Sequence, residues 1–295
     1  MIVATTRAEL RASRDKLAGP VVLVPTMGAL HDGHRALLAR ARQLAGQSGT
    51  VVVSIFVNPL QFGPNEDLDR YPRTLEADLK ACEDADVDVV FAPSAAEMYP
   101  APQVVTVDPG PAGDILEGEF RPGFFQGVLT VVLKLFSLVR PDVAVFGQKD
   151  AQQLTLVRRM TADFALGIEI EAVPTVRAAD GLALSSRNKY LSSSERKVAP
   201  VLHRALAAGA AAAAGGPAAV LGAARQVLDA KGSAFAVDYL ELVEGETYVP
   251  VRDDEFTGAA VLAIAARLGG TRLIDNVTFQ VGTGQFGMAG HAADD

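Results

Sequence analysis

Two of the four histidines in the chain stand three residues apart, in the stretch Pro25-Thr26-Met27-Gly28-Ala29-Leu30-His31-Asp32-Gly33-His34. The apolar run Val21-Val22-Leu23-Val24 precedes it, and apolar residues at helical spacing follow from Arg35 to Ala41. A strand, a glycine-bearing turn and a helix start in that order aim free backbone N–H groups and the positive end of a helix dipole at an anion. Imidazoles at that place can donate to phosphate oxygens as negative charge builds up in a reaction. The plainer alternative is a tight turn whose histidines are merely exposed, and a metal site on His31 and His34 lacks an obvious third ligand. Later in the chain, Ser185-Ser186-Arg187 sets hydroxyls beside a guanidinium, which suits phosphate oxygens but equally a serine-capped turn. Lys149 and Asp150 follow another apolar run and serve either a nucleotide or a surface ion pair. Gln153, taken alone, reads as a helix-surface amide.

The elements that must hold these groups alternate in type. Apolar runs predict strands at 21–24, 51–57, 87–92, 143–146 and 168–173. Helical spacing predicts helices over 5–18, 33–45, 74–85 and 127–138, then one with Leu154, Val157, Met160 and Phe164 on a single face. Strands alternating with helices to about residue 175 give an α/β chain, a Rossmann-like doubly wound parallel sheet with right-handed crossovers. Ligands of such sheets bind beyond the carboxyl ends of the strands. His31 and His34, the 58–61 turn and the 147–150 turn all follow strands, so three polar clusters are expected on one rim. The irregular stretch 60–73 is long for a connector, which marks a lid or binding loop.

After residue 176 the pattern changes. A polar segment from Leu184 to Ser192 leads to a helix capped by Ser193 or Ser194 and running to about 214. Gly215-Gly216-Pro217 breaks it, a second helix reaches 230, and strands are expected at 237–243, 259–268 and 271–277. The expected division is 1–175, a nucleotide- and substrate-binding domain; 176–282, a small α+β domain; and 283–295, a flexible tail.

Bulk properties exclude several classes. A net charge of −8 disfavours a nucleic-acid partner, which needs a basic surface. Cys82 is the single cysteine, so no intrachain disulfide forms and a cysteine-based zinc site is not expected. MIVATTRAEL has no signal-peptide apolar core, and no 18 consecutive residues are apolar, so a cytoplasmic setting without a membrane span is expected.

The H-x-G-H turn and the later Ser/basic loop resemble the two phosphate-handling signatures of the class I aminoacyl-tRNA synthetase and nucleotidyltransferase superfamily. Within it, PTMGALHDGH, FVNPLQFGPNEDLDRYPR, LEGEFRPGFFQGVLTVV, FGQKDAQQL and DGLALSSRNKYLS, in this order, resemble the pantothenate synthetase (pantoate–β-alanine ligase) family over residues 3–280. This chain has Gln148 where the family usually has Glu, and Ala151 where an aromatic residue is common. The resemblance implies condensation of pantoate with β-alanine through a pantoyl adenylate, with ATP as co-substrate, Mg2+ as its counter-ion, and AMP and pyrophosphate as products. It implies a homodimer. By carry-over, Met27, Gly28, Ala29, Leu30, His31, Asp32, Gly33 and His34 line the ATP site, with His31 and His34 on the phosphates and His34 as proton donor. Lys149, Ser185, Ser186 and Arg187 would hold phosphate oxygens. Gly147, Gln148, Asp150, Val176 and Leu184 would complete the nucleotide site, while Gln61 and Gln153 would bind pantoate and Gln61 also meet β-alanine. Glutamine suits that task because one amide both donates and accepts. No carboxylate cluster in the sequence identifies magnesium ligands.

Overall fold

The computed structural model describes residues 1–282 except 15, 17, 18, 65 and 67, so the expected tail at 283–295 lies outside the described residues. The chain divides into two compact units, Met1–Val176 and Arg177–Asp295. The first contains β1 (Ile2–Ala4), α1 (Arg7–Arg14), β2 (Val21–Thr26), α2 (Asp32–Ala45), β3 (Thr50–Ile55), α3 (Leu75–Asp84) and β4 (Val89–Phe91). It continues with α4 (Ala95–Met98), α5 (Glu117–Phe120), α6 (Phe124–Val139), β5 (Val143–Gly147), α7 (Ala151–Asp163) and β6 (Glu169–Val173).

The strands form one parallel six-stranded sheet in the order β1-β4-β3-β2-β5-β6. Valine-rich runs build it because both faces are covered. Leu23, Val52, Phe91 and Phe146 pack with residues of α1, α6 and α7, among them Leu10, Leu129, Phe136 and Val157. The alternate residues Val22, Val24, Val51, Val53 and Val145 pack with Leu38, Ala41 and Cys82 of α2 and α3. From β2 the chain winds outward through β3 and β4, then returns to lay β5 and β6 on the other side. The order therefore reverses between β2 and β5, the place where doubly wound sheets open a crevice for ligands.

Several expected elements differ. β1 is an addition to the expected strands, since three residues on an edge carry no readable period. The short α5 is likewise an addition, inside the glycine- and proline-bearing stretch 110–123. Phe164 is not on the buried face of α7; it lies just past the helix end and is 57% exposed.

In the second unit, α8 (Ser193–Val198), α9 (Val201–Ala211) and α10 (Gly216–Asp229) precede β7 (Ala236–Glu244), β8 (Gly258–Leu268) and β9 (Thr271–Val281). The strands form an antiparallel β7-β8-β9 sheet. Leu202, Leu206, Val220 and Ala224 cover it by packing with Leu242, Leu262 and Ile264. The expected helix from 193 to 214 is two helices that break around Pro200, whose ring removes a backbone donor. Its cap is Ser192, not Ser193 or Ser194: the Glu195 N–H donates to Ser192 Oγ, and the Ser192 N–H donates to Glu195 Oε2 at 2.7 Å. Among the described residues no single helix is long and apolar enough to cross a membrane.

Candidate active site

The turn after β2 is built by two successive left-handed residues, Gly28 at φ 79° and Ala29 at φ 51°. A Cβ on Gly28 would lie 2.9 Å from Asp78 Oδ2, so glycine serves both the conformation and the approach of that carboxylate. Asp78, on α3 and 2% exposed, accepts from the Ala29 N–H at 3.0 Å, the Leu30 N–H at 2.8 Å and the Thr74 hydroxyl at 3.1 Å. The Gly28 N–H donates to Thr26 Oγ1 at 3.2 Å. These bonds correct the expectation of free backbone donors along the turn. The N–H groups of Gly28, Ala29 and Leu30 all have internal acceptors, and the turn is a braced platform instead of an open anion nest.

His31 and His34 cap α2 reciprocally. The Gly33 N–H donates to His31 Nδ1 at 3.1 Å, and the His31 N–H donates to His34 Nδ1 at 3.2 Å. The rings lie 4.1 Å apart between centroids, and a Cβ on Gly33 would come within 2.8 Å of the His31 ring. Each Nδ1 is thus an acceptor, which leaves Nε2 to carry the proton in the neutral ring. Burial lowers the pKa of His34 to about 3, helped by His31 and Lys149 and opposed by Asp150. Burial and then Lys149 lower that of His31, against Asp32 and Asp150. Both histidines are therefore neutral Nε2–H donors at pH 7. Gly147, which ends β5, faces α2, a Cβ there lying 3.9 Å from the Leu37 side chain, and Lys149 and Asp150 on the following turn are charges that act on both rings. The β2 and β5 clusters meet at the reversal of the sheet order.

The third cluster joins them through Gln61, whose Nε2–H donates to Met27 Sδ at 2.9 Å. Gln61 lies on a single 3-10 turn, Pro59–Gln61, capped by Asn58. That turn presses so closely on α6 that a Cβ on Gly127 would sit 2.1 Å from the Leu60 carbonyl oxygen. Asn58 Nδ2 donates to Gln61 Oε1 at 3.2 Å. The double use of the Gln61 amide expected from sequence is thereby narrowed: its oxygen is engaged and its N–H end is the one on offer. The 60–73 loop is anchored by Arg121, which donates to Glu66 at 2.8 and 2.7 Å and to the Gln61 carbonyl at 3.2 Å, and by the Phe62–Tyr71 ring contact at 5.8 Å.

Gln153 is half-buried on α7. Its neighbour Gln152 is buried and structural, donating to the Ala112 and Ile115 carbonyls at 2.8 and 2.9 Å and accepting from the Glu117 N–H at 3.1 Å. Gly147 ends β5, Gln148 begins the turn with Lys149, and Val176 ends the first unit; all are half-buried. In the second unit, the half-buried Leu184 precedes Ser185, which caps a 3-10 turn by accepting from the Arg187 N–H at 3.2 Å, with Ser186 opening that turn. Asn188 ties the turn to the Ala183 carbonyl at 3.0 Å. The serine-capped turn expected as one alternative is present, and it leaves Ser185 little freedom to reorient.

Sequence reasoning missed Asp78 and Tyr99 as supports of the site, and it placed Asn58 on the rim without the bonds by which it fixes Gln61. Asp78 reads as one acidic residue of an amphipathic helix, Asn58 as the residue before a proline, and Tyr99 as an isolated aromatic. Among the described residues, no group of three or more His, Cys, Asp or Glu could hold a metal ion. The first unit thus offers neutral imidazoles, an ammonium and an amide N–H on turns that follow the strands, a donor set for an oxyanion-rich ligand.

A family model described as pantoate-beta-alanine ligase matches residues 2–278. The pantothenate synthetase of Thermobifida fusca (strain YX) is 60% identical over 285 residues, covering 94% of this chain and 95% of that protein. The crystal structure of pantothenate synthetase from Thermus thermophilus is similar at a TM-score of 0.87 and 49% identity, covering 94% of this chain and 99% of that one. That of pantoate-beta-alanine ligase from Francisella tularensis, complexed with beta-gamma ATP and beta-alanine, gives 0.76 and 33%, covering 94% and 97%.

Proposed function

This chain belongs to the pantoate–β-alanine ligase family, and from that premise we propose that it binds ATP at the reversal point of the sheet and joins pantoate to β-alanine in two steps. A carboxylate resists attack by an amine because its oxide will not leave. In the first step the pantoate carboxylate attacks the α-phosphorus of ATP, the bond to the β-phosphate oxygen breaks, and pyrophosphate departs with the electron pair. In the second the β-alanine amine attacks the acyl carbon, AMP leaves, and an amide remains. Catalysis of such steps consists of positioning and charge stabilisation.

His31 and His34 donate through Nε2–H to the phosphates, and Lys149 adds a positive charge. His34 already carries its proton on Nε2, because Nδ1 accepts from the His31 N–H, and it donates from there as charge builds on the phosphates. Ser185, Ser186 and Arg187 supply further donors to phosphate oxygens. Gly147, Gln148, Asp150, Val176 and Leu184 frame ribose and adenine, and Gln61 and Gln153 take pantoate. No His, Cys, Asp or Glu cluster among the described residues fits a metal, so Mg2+ would enter with the nucleotide, held by its phosphate oxygens and water.

The observation that carries this reading is the imidazole pair with both Nδ1 atoms pinned internally and Lys149 alongside. The test is incubation with ATP and pantoate, first without and then with β-alanine, following pyrophosphate and AMP separately. Pyrophosphate released before the amine is added, with AMP only afterwards, is the expected result. AMP and pyrophosphate appearing together, and only once the amine is present, refutes the two-step route.

A further inference from the structure

Asn58 is 1% exposed, and its surroundings fix which end of its amide is which. The Leu60 N–H can only donate and the Gly127 carbonyl can only accept, so the atoms facing them at 3.3 and 3.1 Å are Oδ1 and Nδ2 respectively. Two assignments follow. The Tyr99 hydroxyl, 2.8 Å from Oδ1, is the donor of that bond. The Gln61 atom 3.2 Å from Nδ2 is its oxygen, which turns the Gln61 Nε2–H toward Met27 Sδ, a weak acceptor that a ligand oxygen readily replaces.

Of the four bonds to the Asn58 amide, the one from Tyr99 is the shortest; without it Oδ1 keeps only the longer bond from Leu60. The Tyr99 ring is held between Phe56, 6.1 Å away between centroids, and the Lys134 ammonium, 4.6 Å from its centroid. Burial pushes the phenol up to about 12, so the donor keeps its proton across the working range.

We propose that Tyr99 is a positioning residue for the acid substrate: its hydrogen bond reinforces those of the Leu60 N–H and the Gly127 carbonyl in holding the Asn58 amide in the orientation that turns the Gln61 N–H toward the ligand. An N–H there donates to a carboxylate or hydroxyl oxygen of an acid and disfavours a ligand that offers only a donor. The inference rests on the assignment of Gln61 to pantoate made above.

The test is a cycle of Tyr99→Phe, Gln61→Ala and the double variant. Pantoate and ATP KM, kcat and thermal melting are measured on each. Tyr99→Phe deletes one hydroxyl and should raise the pantoate KM about 2- to 12-fold, the range for one neutral hydrogen bond, with the ATP KM and kcat unchanged. In the Gln61→Ala background the same change should cost nothing, because the hydroxyl acts only through that amide. An equal cost in both backgrounds, or an early-melting Tyr99→Phe protein whose two KM values rise together, makes the hydroxyl a purely structural group and overturns the proposal. If Gln61→Ala impairs pantoate use and Tyr99→Phe does not, the Tyr99 proposal alone falls. If Gln61→Ala has no effect, the assignment of Gln61 falls and takes this inference with it.

Discussion

His34 offers a direct measurement of how deeply the paired imidazoles are desolvated. Its pKa falls from 6.5 to about 3 on folding, burial being the first cause and the neighbouring His31 the second. A cationic group depressed in this way binds a proton in the unfolded chain but not in the folded one as the pH drops below 6.5. Stability is therefore lost on acidification between pH 6.5 and 3. Linkage gives about 2 kcal/mol lost between pH 7 and pH 5 from this residue alone, and on the order of 5 kcal/mol by pH 3. His34→Asn isolates the effect, since an asparagine oxygen can take the place of Nδ1, accept from the His31 N–H and never ionise. Urea unfolding at pH 7 and pH 5 should show the parent losing about 2 kcal/mol more than the variant between the two conditions. Parallel losses in the two proteins would mean that His34 is solvated and ordinary, and the reading of a dry, neutral donor would be wrong.

Three further outcomes follow from the geometry. Lys149→Ala should lower the rate of pyrophosphate release by roughly 10²–10³, the scale for one charge-stabilising donor, and a near-normal rate in a stopped assay counts against its role. Asp78→Asn removes one of two acceptor oxygens beneath the turn and should cost about 1–3 kcal/mol in urea unfolding through an orphaned buried N–H, with a raised ATP KM; an unchanged midpoint would mean the Ala29 and Leu30 N–H groups find other acceptors. Gly127→Ala forces a Cβ to 2.1 Å from the Leu60 carbonyl oxygen, so a loss of about 1–3 kcal/mol and weaker pantoate use are expected, and a variant with the parent's melting curve would contradict the close packing of α6 on the 58–61 turn.

Which features the sequence made legible follows from how local their causes are. The runs at 21–24 and 51–53 are readable as central strands because both faces of the sheet are buried and every position must be apolar. His31 and His34 are readable because a turn, a glycine and a helix start lie within ten residues of chain. Asp78 is not readable: its partners Ala29 and Leu30 are 49 and 48 residues away, and nothing in its own helix distinguishes it from a solvated charge. The break at Pro200 is masked by apolar residues that keep helical spacing across it. β1 is held by pairing with β4 and by little in its own three residues. Asn58 and Tyr99 are likewise joined across 41 residues, by a bond that only the fold creates.

The occupied backbone donors of the turn change where anion recognition must come from. Had the Gly28, Ala29 and Leu30 N–H groups been open, the loop itself could grip a phosphate, and the imidazoles would be auxiliary. With those donors spent on Asp78 and Thr26, the loop is rigid before any ligand arrives, and the gripping groups must be side chains mounted on it. The histidines are mounted by backbone N–H bonds to Nδ1, which fix their tautomer and their tilt at once. A donor fixed in this way needs no reorganisation as charge develops on the leaving group of the proposed first step, which is the condition under which a hydrogen bond lowers a barrier instead of only tightening a ground state. The braced turn and the neutral, half-buried imidazoles are therefore parts of one arrangement, and loosening Asp78 should weaken turnover as well as stability.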